Sequence, residues 1–488
     1  MKSLKKSIIY AMTALMMGAM GSCDYLDKEP EGKVPETNVD YTNLTNMYQP
    51  VSGVYARLRA SGMHWIIWDI TVCRGDNDVW SGANDGSDLY NLGLYKYNDA
   101  NWGIDEIWKQ YYNLIKVANS AIESLDLYGA NATSDQDKKN YEAYVGEVKY
   151  IRAYSYYRLV QAFGPCTILR DNNQADLSRS TVNAVYKYAL EDLQYGMDHM
   201  PRIRPNQNSH IGAVTAFSAE ALAAKIYMNL GQYDKVETLT DDIINNGNFS
   251  LYPDFYQLFK IPGKLCDESL FECQLTDFGN GSGELIDADQ WFVCQGPINS
   301  GSNISGWGHV GITPEFRDWA AARGETVRAT TSFLLANSTT PSGDVIAKQE
   351  NPTKADCWNG KAYTPFNQLT PGRTKYGTNN NIRIFRYADV LLMNSEAKIR
   401  NGKNGDAPFN EIRRRAHMPE LTGVTVDQVL DERRMELCCE WGERYNDLCR
   451  TGLAASVLKG WSKDKENLPL PFNQYSQIPS LKDEPKDE

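Results

Sequence analysis

Apolar residues recur at three- and four-residue steps in several long stretches, the signature of one buried helix face. Ile104, Ile107, Trp108, Tyr111, Leu114, Ile115, Ala118 and Ile122 form such a face. The stretch from Tyr141 to Phe163 is apolar almost all round, through Tyr144, Val145, Val148, Ile151, Tyr154, Tyr157 and Val160. A helix without a polar face lies between neighbours, and Gly164-Pro165 stops this one. Ser180 or Thr181 can cap the next helix, which carries Val182, Tyr186, Ala189, Leu193, Met197 and Met200 on one face and ends at Pro201. Two further helices, Val214 to Leu230 and Tyr233 to Ile244, meet at Leu230-Gly231-Gln232-Tyr233, which leaves room only for a helical hairpin. Ala224, Tyr227, Gly231, Tyr233 and Val236 fall at the small, aromatic, glycine, aromatic and small positions of a tetratricopeptide unit. Successive helix pairs of this kind predict a solenoid.

From about residue 251 to 381 the helical period fades. Gly, Asn, Pro, Ser and Trp dominate, as in Gly279-Asn280-Gly281-Ser282-Gly283. So long an irregular stretch is usually functional or disordered, and Trp291, Phe292, Trp307, Trp319 and Trp358 argue against disorder. Helices resume at Arg386 to Arg400 and Phe409 to Arg415. A last one is expected from Val426 to about Cys449, opened by Thr425 and Gln428 at capping-box spacing.

The first residues speak to compartment. Lys2, Lys5 and Lys6 precede an apolar run, Ile8 to Met20, that is too short to span a bilayer. It ends in Met20-Gly21-Ser22-Cys23, small residues directly before a cysteine. Residues 1–22 therefore read as a lipoprotein signal peptide and Cys23 as the site of lipidation, diacylglycerol and palmitate-type chains included. Each buried CH₂ adds roughly 0.8 kcal/mol of membrane affinity, so several chains on one residue anchor a domain. The plainer alternative is an ordinary signal peptide with an incidental cysteine. Residues 23–40 read as a tether, and 41–488 as a single domain with helical pairs at about 41–250 and 382–450 around the irregular segment.

Composition narrows the function classes. The 488 residues carry a net charge of −12, with no clustered basic block such as nucleic-acid phosphates require. Tyr 29 and Trp 11 are high counts for side chains that stack on sugar rings as readily as they fill cores. With Cys23 set aside, nine cysteines remain, odd in number and irregular in spacing, which reads as buried free thiols. No His-Glu-x-x-His, Gly-x-Ser-x-Gly or Cys-x-x-Cys is present, and the five histidines, His64, His199, His210, His309 and His417, stand apart. No cofactor is expected. Asp76-Asn77-Asp78 and Asp85-Gly86-Ser87-Asp88 are oxygen-rich and could hold Ca²⁺, but no bidentate Glu follows at EF-hand spacing.

Several motifs together resemble the RagB/SusD family of outer-membrane glycan-binding lipoproteins. They are Cys23-Asp24-Tyr25-Leu26-Asp27-Lys28-Glu29-Pro30; Gly146 to Tyr154 with Tyr156-Tyr157-Arg158-Leu159-Val160 and Phe163-Gly164-Pro165; Ser178 to Val182; Arg386 to Leu392 with Glu396-Ala397; and Glu432-Arg433-Arg434-Met435-Glu436-Leu437 with Glu440-Trp441-Gly442-Glu443-Arg444 and Asp447-Leu448. Trp441 departs from the usual Glu-Gly step, and the ending Lys486-Asp487-Glu488 departs from the family's Asn-Pro-Gly. The resemblance implies a mainly α fold: four tetratricopeptide-like helix pairs scaffolding a large irregular, loop-rich half. It also implies a lipid-anchored protein facing the cell surface that holds oligosaccharide or polysaccharide over a SusC-like, TonB-dependent transporter. The nearest impression within the family is of its fructan-associated members.

The motif charges Glu147, Arg152, Arg158, Glu432, Arg433, Glu436 and Arg444 lie on otherwise apolar helices and are expected to pair with one another. For glycan contact the sequence offers Trp80 with Asp69, Arg74, Asp76, Asn77 and Asp78, in what reads as a loop between helices. A sugar presents CH faces to an indole and paired hydroxyls to carboxylates, amides and guanidinium groups. Trp80 reads equally as a core residue beside a turn. In the irregular half the candidates are Trp291 and Trp307, with Asn303 and Arg373 as polar partners; Cys294 lies close to Trp291 without an assignable role. Two alternatives stay open: a surface-anchored helical glycoside hydrolase, which needs two facing carboxyl groups, and a tetratricopeptide-type scaffold that binds only protein.

Overall fold

The computed structural model describes residues 39–75, 78–81, 88–275, 290–297, 305–347, 356–369 and 379–487; of Trp80 and Ser81 it describes the backbone alone. Numbering helices of eight residues or more, the chain runs α1 (Gln49–Arg57), α2 (Trp65–Cys73), α3 (Trp102–Gly129), α4 (Asp135–Phe163), α5 (Val182–His199), α6 (Ala216–Asn229), α7 (Tyr233–Asn246), α8 (Pro314–Ala322), α9 (Tyr387–Arg400), α10 (Asp406–Arg415), α11 (Val426–Glu436) and α12 (Glu443–Arg450).

Local chemistry sets the boundaries. Asn101, Ser134 and Thr181 cap α3, α4 and α5 with side-chain oxygens that accept from backbone N–H groups in the first turn. The Thr425–Gln428 capping box at α11 forms as the spacing predicts. Helices α3 to α7 pack each on the next, and α9 closes the row against α7, with α10 and α11 against α9. This is a tetratricopeptide-like stack. The apolar face read from the sequence is its core: Ile104, Leu114, Ile115 and Ala118 are fully buried, as are Val148, Ile151 and Tyr154 of α4. Each large side chain so buried contributes roughly 1.5–3 kcal/mol.

The predicted single helix from Val426 to Cys449 is broken. Between α11 and α12 the backbone turns through positive φ at Cys439 and Gly442. A Cβ on Gly442 would stand 2.6 Å from Thr71 Cγ2, so a side chain there would push α2 away. The turn releases Glu440 toward Arg386 and Lys361, and lets the Trp441 indole donate to the Arg383 carbonyl at 2.9 Å. Trp441, the departure from the family pattern, is thus a core residue.

The chain contains paired strands, most of them in the irregular segment, that periodicity did not show. Among the described residues eight short strands, β1 (Val79–Ser81), β2 (Ser269–Cys273), β3 (Val310–Ile312), β4 (Phe333–Leu335), β5 (Ser338–Thr339), β6 (Val345–Ile346), β7 (Cys357–Asn359) and β8 (Ile382–Arg386), form four antiparallel pairs: β1–β3, β2–β8, β4–β7 and β5–β6. Most are two or three residues long, too short to establish an alternation, and β1 and β2 find their partners far along the chain.

Buried charge joins the two halves. Arg386, at the end of β8, holds Glu268 (2.5 Å), Glu436 (3.1 Å) and Glu440 (2.7 Å). Arg415 bridges Glu268 and Glu436, and Arg328 reaches Glu325, Glu432 and Glu436. Arg433 pairs with Asp389 and Asp447, and Arg152 with Asp192 at 2.7 Å. The motif charges do not pair with one another as expected: Arg152, Glu432, Arg433 and Glu436 take opposite charges from outside that set, and Glu147 and Arg158 bond neutral groups. Glu147 accepts hydrogen bonds from the Tyr48 and Tyr55 hydroxyls instead of a cation. Arg158 lies over the Trp441 ring and bonds neutral oxygens. The nine described cysteines are free thiols, seven of them buried.

Candidate glycan-binding face

Helix α2 begins at His64-Trp65, directly before the apolar run Ile66 to Ile70 that buries the helix. The His64 ring accepts from the Ile66 N–H at 3.3 Å, which caps the helix and leaves Trp65 at its rim. Helix α3 begins nearby with Trp102, and Asn101 accepts from the Gly103 and Ile104 amides at 3.0 and 3.2 Å. Gly103 brings the two helix starts together: a Cβ there would stand 2.7 Å from Ile70 Cδ1 and 3.0 Å from Ile66 Cγ1. Trp65 and Trp102 consequently lie with ring centroids 5.9 Å apart.

The third contributor comes from the irregular half. Residues 307–309 lead into β3, whose pairing with β1 sets Trp80 opposite Gly311 in register and fixes this segment beside α2. Trp307 stands edge-on to Trp65 at 5.5 Å, and His309 lies 5.1 Å from Trp65 and 5.3 Å from Trp307. Trp102 is 49% exposed, and Trp65, Trp307 and His309 are half-buried. Three indoles and an imidazole thus share one accessible face. Indoles offer broad contact area at little conformational cost, together with an N–H for hydrogen bonding.

Behind this face Asp69 of α2 is wholly buried, and its Oδ2 lies 2.7 Å from His309 Nδ1. Burial pushes the Asp69 carboxyl above the usual carboxylate range, and the hydrogen bond from His309 opposes that shift. A carboxylate accepting from Nδ1–H fixes the ring's orientation and tautomer, leaving Nε2 as the polar edge of the imidazole. A shallow cleft of about 460 Å³ continues past Trp102, lined by Asn91, Tyr97, Asn98 and Lys465 among others.

The structure distributes the sequence candidates unevenly. Trp307 lies in the aromatic face and Asp69 supports it. Trp291 does not reach it: the ring stacks on Trp441 at 5.0 Å, stands edge-on to Trp68 at 5.6 Å and is 9% exposed. Arg74 is also withdrawn into the interior, where it donates to Tyr445 Oη and to the Lys465 and Glu466 carbonyls. Asp78 is buried against Arg434, with Oδ2 accepting from Nε at 2.6 Å. The expected loop around Trp80 is a strand at Val79–Ser81, because its partner β3 supplies the backbone hydrogen bonds. The Trp80 side chain and Asp76, Asn77, Asn303, Arg373 and Cys23 lie outside the described residues, as do Asp85 to Ser87 of the calcium candidate. Among the described residues no group of three His, Cys, Asp or Glu is placed to hold a metal ion, and no helix is long and apolar enough to cross a membrane.

Sequence reasoning missed Trp65, Trp102 and the role of His309. One signal was present: Trp102 lies off the apolar face that Ile104, Ile107, Trp108 and Tyr111 define, and a Trp off the buried face of a helix needs another use.

The chain resembles known proteins over most of its length. A family model described as "Starch-binding associating with outer membrane" matches residues 24–228, and one described as "SusD family" matches residues 307–477. A SusD-like protein of Bacteroides ovatus is 22% identical over 476 residues, covering 90% of this chain and 81% of that protein. A solved structure named as a laminarin-binding SusD-like protein superposes with a TM-score of 0.77 at 22% identity, over 90% of this chain and 97% of that one. Surface glycan-binding protein A from Bacteroides thetaiotaomicron, solved in complex with laminarihexaose, gives a TM-score of 0.73 at 21% identity, over 89% and 98% of the two chains. With residues 24–228 and 307–477 matched by the two family models, the chain belongs to the SusD/RagB family.

Proposed function

We propose that this protein is a lipid-anchored, outer-membrane glycan-binding protein that holds an oligosaccharide on the Trp65–Trp102–Trp307–His309 face and passes it to a SusC-like, TonB-dependent transporter. The observation that carries the reading is the aromatic face itself: three indoles from α2, α3 and the β3 approach, converging on one accessible surface around an oriented imidazole. Stacked indoles meet the CH faces of sugar rings, and His309, with the amides of the adjoining cleft, meets hydroxyls. The matched family's description associates it with the outer membrane, and the Cys23 motif supplies an anchor of the right kind. Relatives described as binding laminarin support a glucan before a fructan, for which nothing in these names speaks.

The protein binds without cleaving. A glycosidase places two carboxyl groups across the scissile bond; Asp69, behind the face, is wholly buried and engaged with His309, and the similar structures are named as glycan-binding proteins. Calorimetry with laminarihexaose and a polysaccharide panel tests the reading, with product analysis on the same samples. The expected result is saturable heat with at least one glycan, weakened more than tenfold by Trp307→Ala, and no shortened products. Absence of binding across the panel, with capture of a protein ligand instead, would favour the scaffold reading; cleavage would favour the hydrolase.

A further inference from the structure

Among the described residues most buried arginines face carboxylates, and two do not. Arg74, at the end of α2, and Arg158, on α4, are each only 4% exposed. Arg74 Nη2 donates to the Tyr445 hydroxyl at 2.8 Å and to the Lys465 and Glu466 carbonyls at 2.9 and 2.6 Å, while its guanidinium lies 4.4 Å from the centre of the Tyr445 ring. Its Nε has no hydrogen-bond acceptor among the described residues. Arg158 donates to Gln161 Oε1 at 3.0 Å and, at longer range, to the Tyr111 hydroxyl and the Trp441 carbonyl, and lies over the Trp441 ring. Every one of these acceptors is neutral. Burial pushes the Tyr445 hydroxyl well above its ordinary pKa, so at neutral pH it offers a dipole and no charge.

Arg74 and Arg158 both line one small void of about 30 Å³, which Gln161, Asn446, Thr71 and Tyr111 also line beside the aliphatic groups of α2 and α3. Two cations in a low-dielectric interior carry a large desolvation cost unless a counter-charge accompanies them. The void exceeds the 10–15 Å³ that one water centre needs. It is far too small for a carboxylate-bearing metabolite or a sugar.

We propose that this void between Arg74 and Arg158 is a binding site for one small monovalent anion of the halide class, chloride in the natural setting. The ion accepts from Arg74 Nε, the orphaned donor, and supplies negative charge to both guanidinium groups. Weakly hydrated halides suit a cavity with cationic N–H donors on one side and isoleucine on the other. The site lies behind the aromatic face: Arg158 packs on Trp441, Trp441 on Trp291 and Trp291 on Trp68 of α2, the helix that begins with Trp65. The ion thus fixes the scaffold of α2 and takes no part in ligand contact, so the inference stands apart from the glycan reading.

The test begins with the unmodified protein. Crystals grown with bromide in place of chloride are measured at the bromine absorption edge, and thermal unfolding is followed in chloride, bromide and gluconate at matched ionic strength. The expected result is an anomalous peak within hydrogen-bond reach of Arg74 Nε. Melting temperature should rise with the logarithm of halide concentration and not with gluconate. An Arg74→Gln variant that folds should lose both the peak and the halide dependence. No peak in the void, or a neutral water there, would overturn the proposal. So would a peak without halide-specific stabilisation, which marks an adventitious ion only.

Discussion

His309 Nδ1 lies 2.7 Å from Asp69 Oδ2, a hydrogen bond between the irregular half and helix α2 that is buried on the Asp69 side and borders the aromatic face on the His309 side. If the face holds glycan, this bond decides which edge of the imidazole a sugar meets. His309→Ala should weaken glycan binding by about five- to tenfold, the worth of one to one and a half hydrogen bonds. Asp69→Ala should weaken it as well while His309 remains, because the ring loses its fixed orientation. Calorimetry checks both; full affinity in both variants would remove His309 from the site.

Trp102 and Trp291 predict opposite outcomes. Trp102, half-exposed at the start of α3, holds little of the core, so Trp102→Ala should leave melting nearly unchanged and cost about 2 kcal/mol in glycan binding. Trp291, between Trp68 and Trp441, should cost about 3–5 kcal/mol of stability on truncation, with affinity kept in the folded fraction. Denaturation and binding measured on the same two variants separate ligand contact from packing.

Glu147 gives a pH signature. It sits on α4, buried, and its Oε2 accepts from Tyr48 and Tyr55 at 3.0 and 2.9 Å. Burial pushes its carboxyl up to about 8, with the two tyrosine hydrogen bonds opposing. In the unfolded chain it titrates in the ordinary range, so between about pH 4.5 and 8 the folded state holds the extra proton. Stability contributed by this group is full below that window and falls by roughly 1.4 kcal/mol per pH unit as pH rises through it. Glu147→Gln should flatten that slope and be more stable than the parent at pH 8, as urea unfolding across pH would show.

Glu436 has the opposite sign. Arg415, Arg386 and Arg328 surround it, and those three cations outweigh its desolvation to hold the carboxyl down at about 2. Its stabilisation is present above the unfolded pKa and is lost as pH falls from about 4.5 through 2. Glu436→Gln should cost about 3–5 kcal/mol at pH 7, because three buried arginines lose a shared counter-charge. Chemical denaturation reads the loss directly; a change under 1 kcal/mol would mean that Glu268 and Glu440 compensate fully.

Cys23→Ala should release the protein from the membrane fraction. Metabolic labelling with a fatty-acid probe checks it: incorporation that survives the substitution would place any lipid elsewhere.

What the sequence determined by itself is the helical stack. Ile104, Ile107, Tyr111, Leu114 and Ile115 repeat at the helical period, and Thr181, Thr425 and Gln428 mark boundaries through bonds to backbone three residues away. These are local interactions, so a linear pattern records them. Tertiary structure alone brought the proposed face together. β1 finds β3 more than two hundred residues along the chain, Glu440 leaves the helical line to reach Arg386, and Trp65, Trp102 and Trp307 meet only after α2, α3 and β3 have packed. Trp291 and Trp307 look alike in sequence, sixteen positions apart in one irregular stretch. One is buried on Trp441 and the other borders solvent, because exposure follows from which distant surfaces cover a side chain, and no local period carries that information.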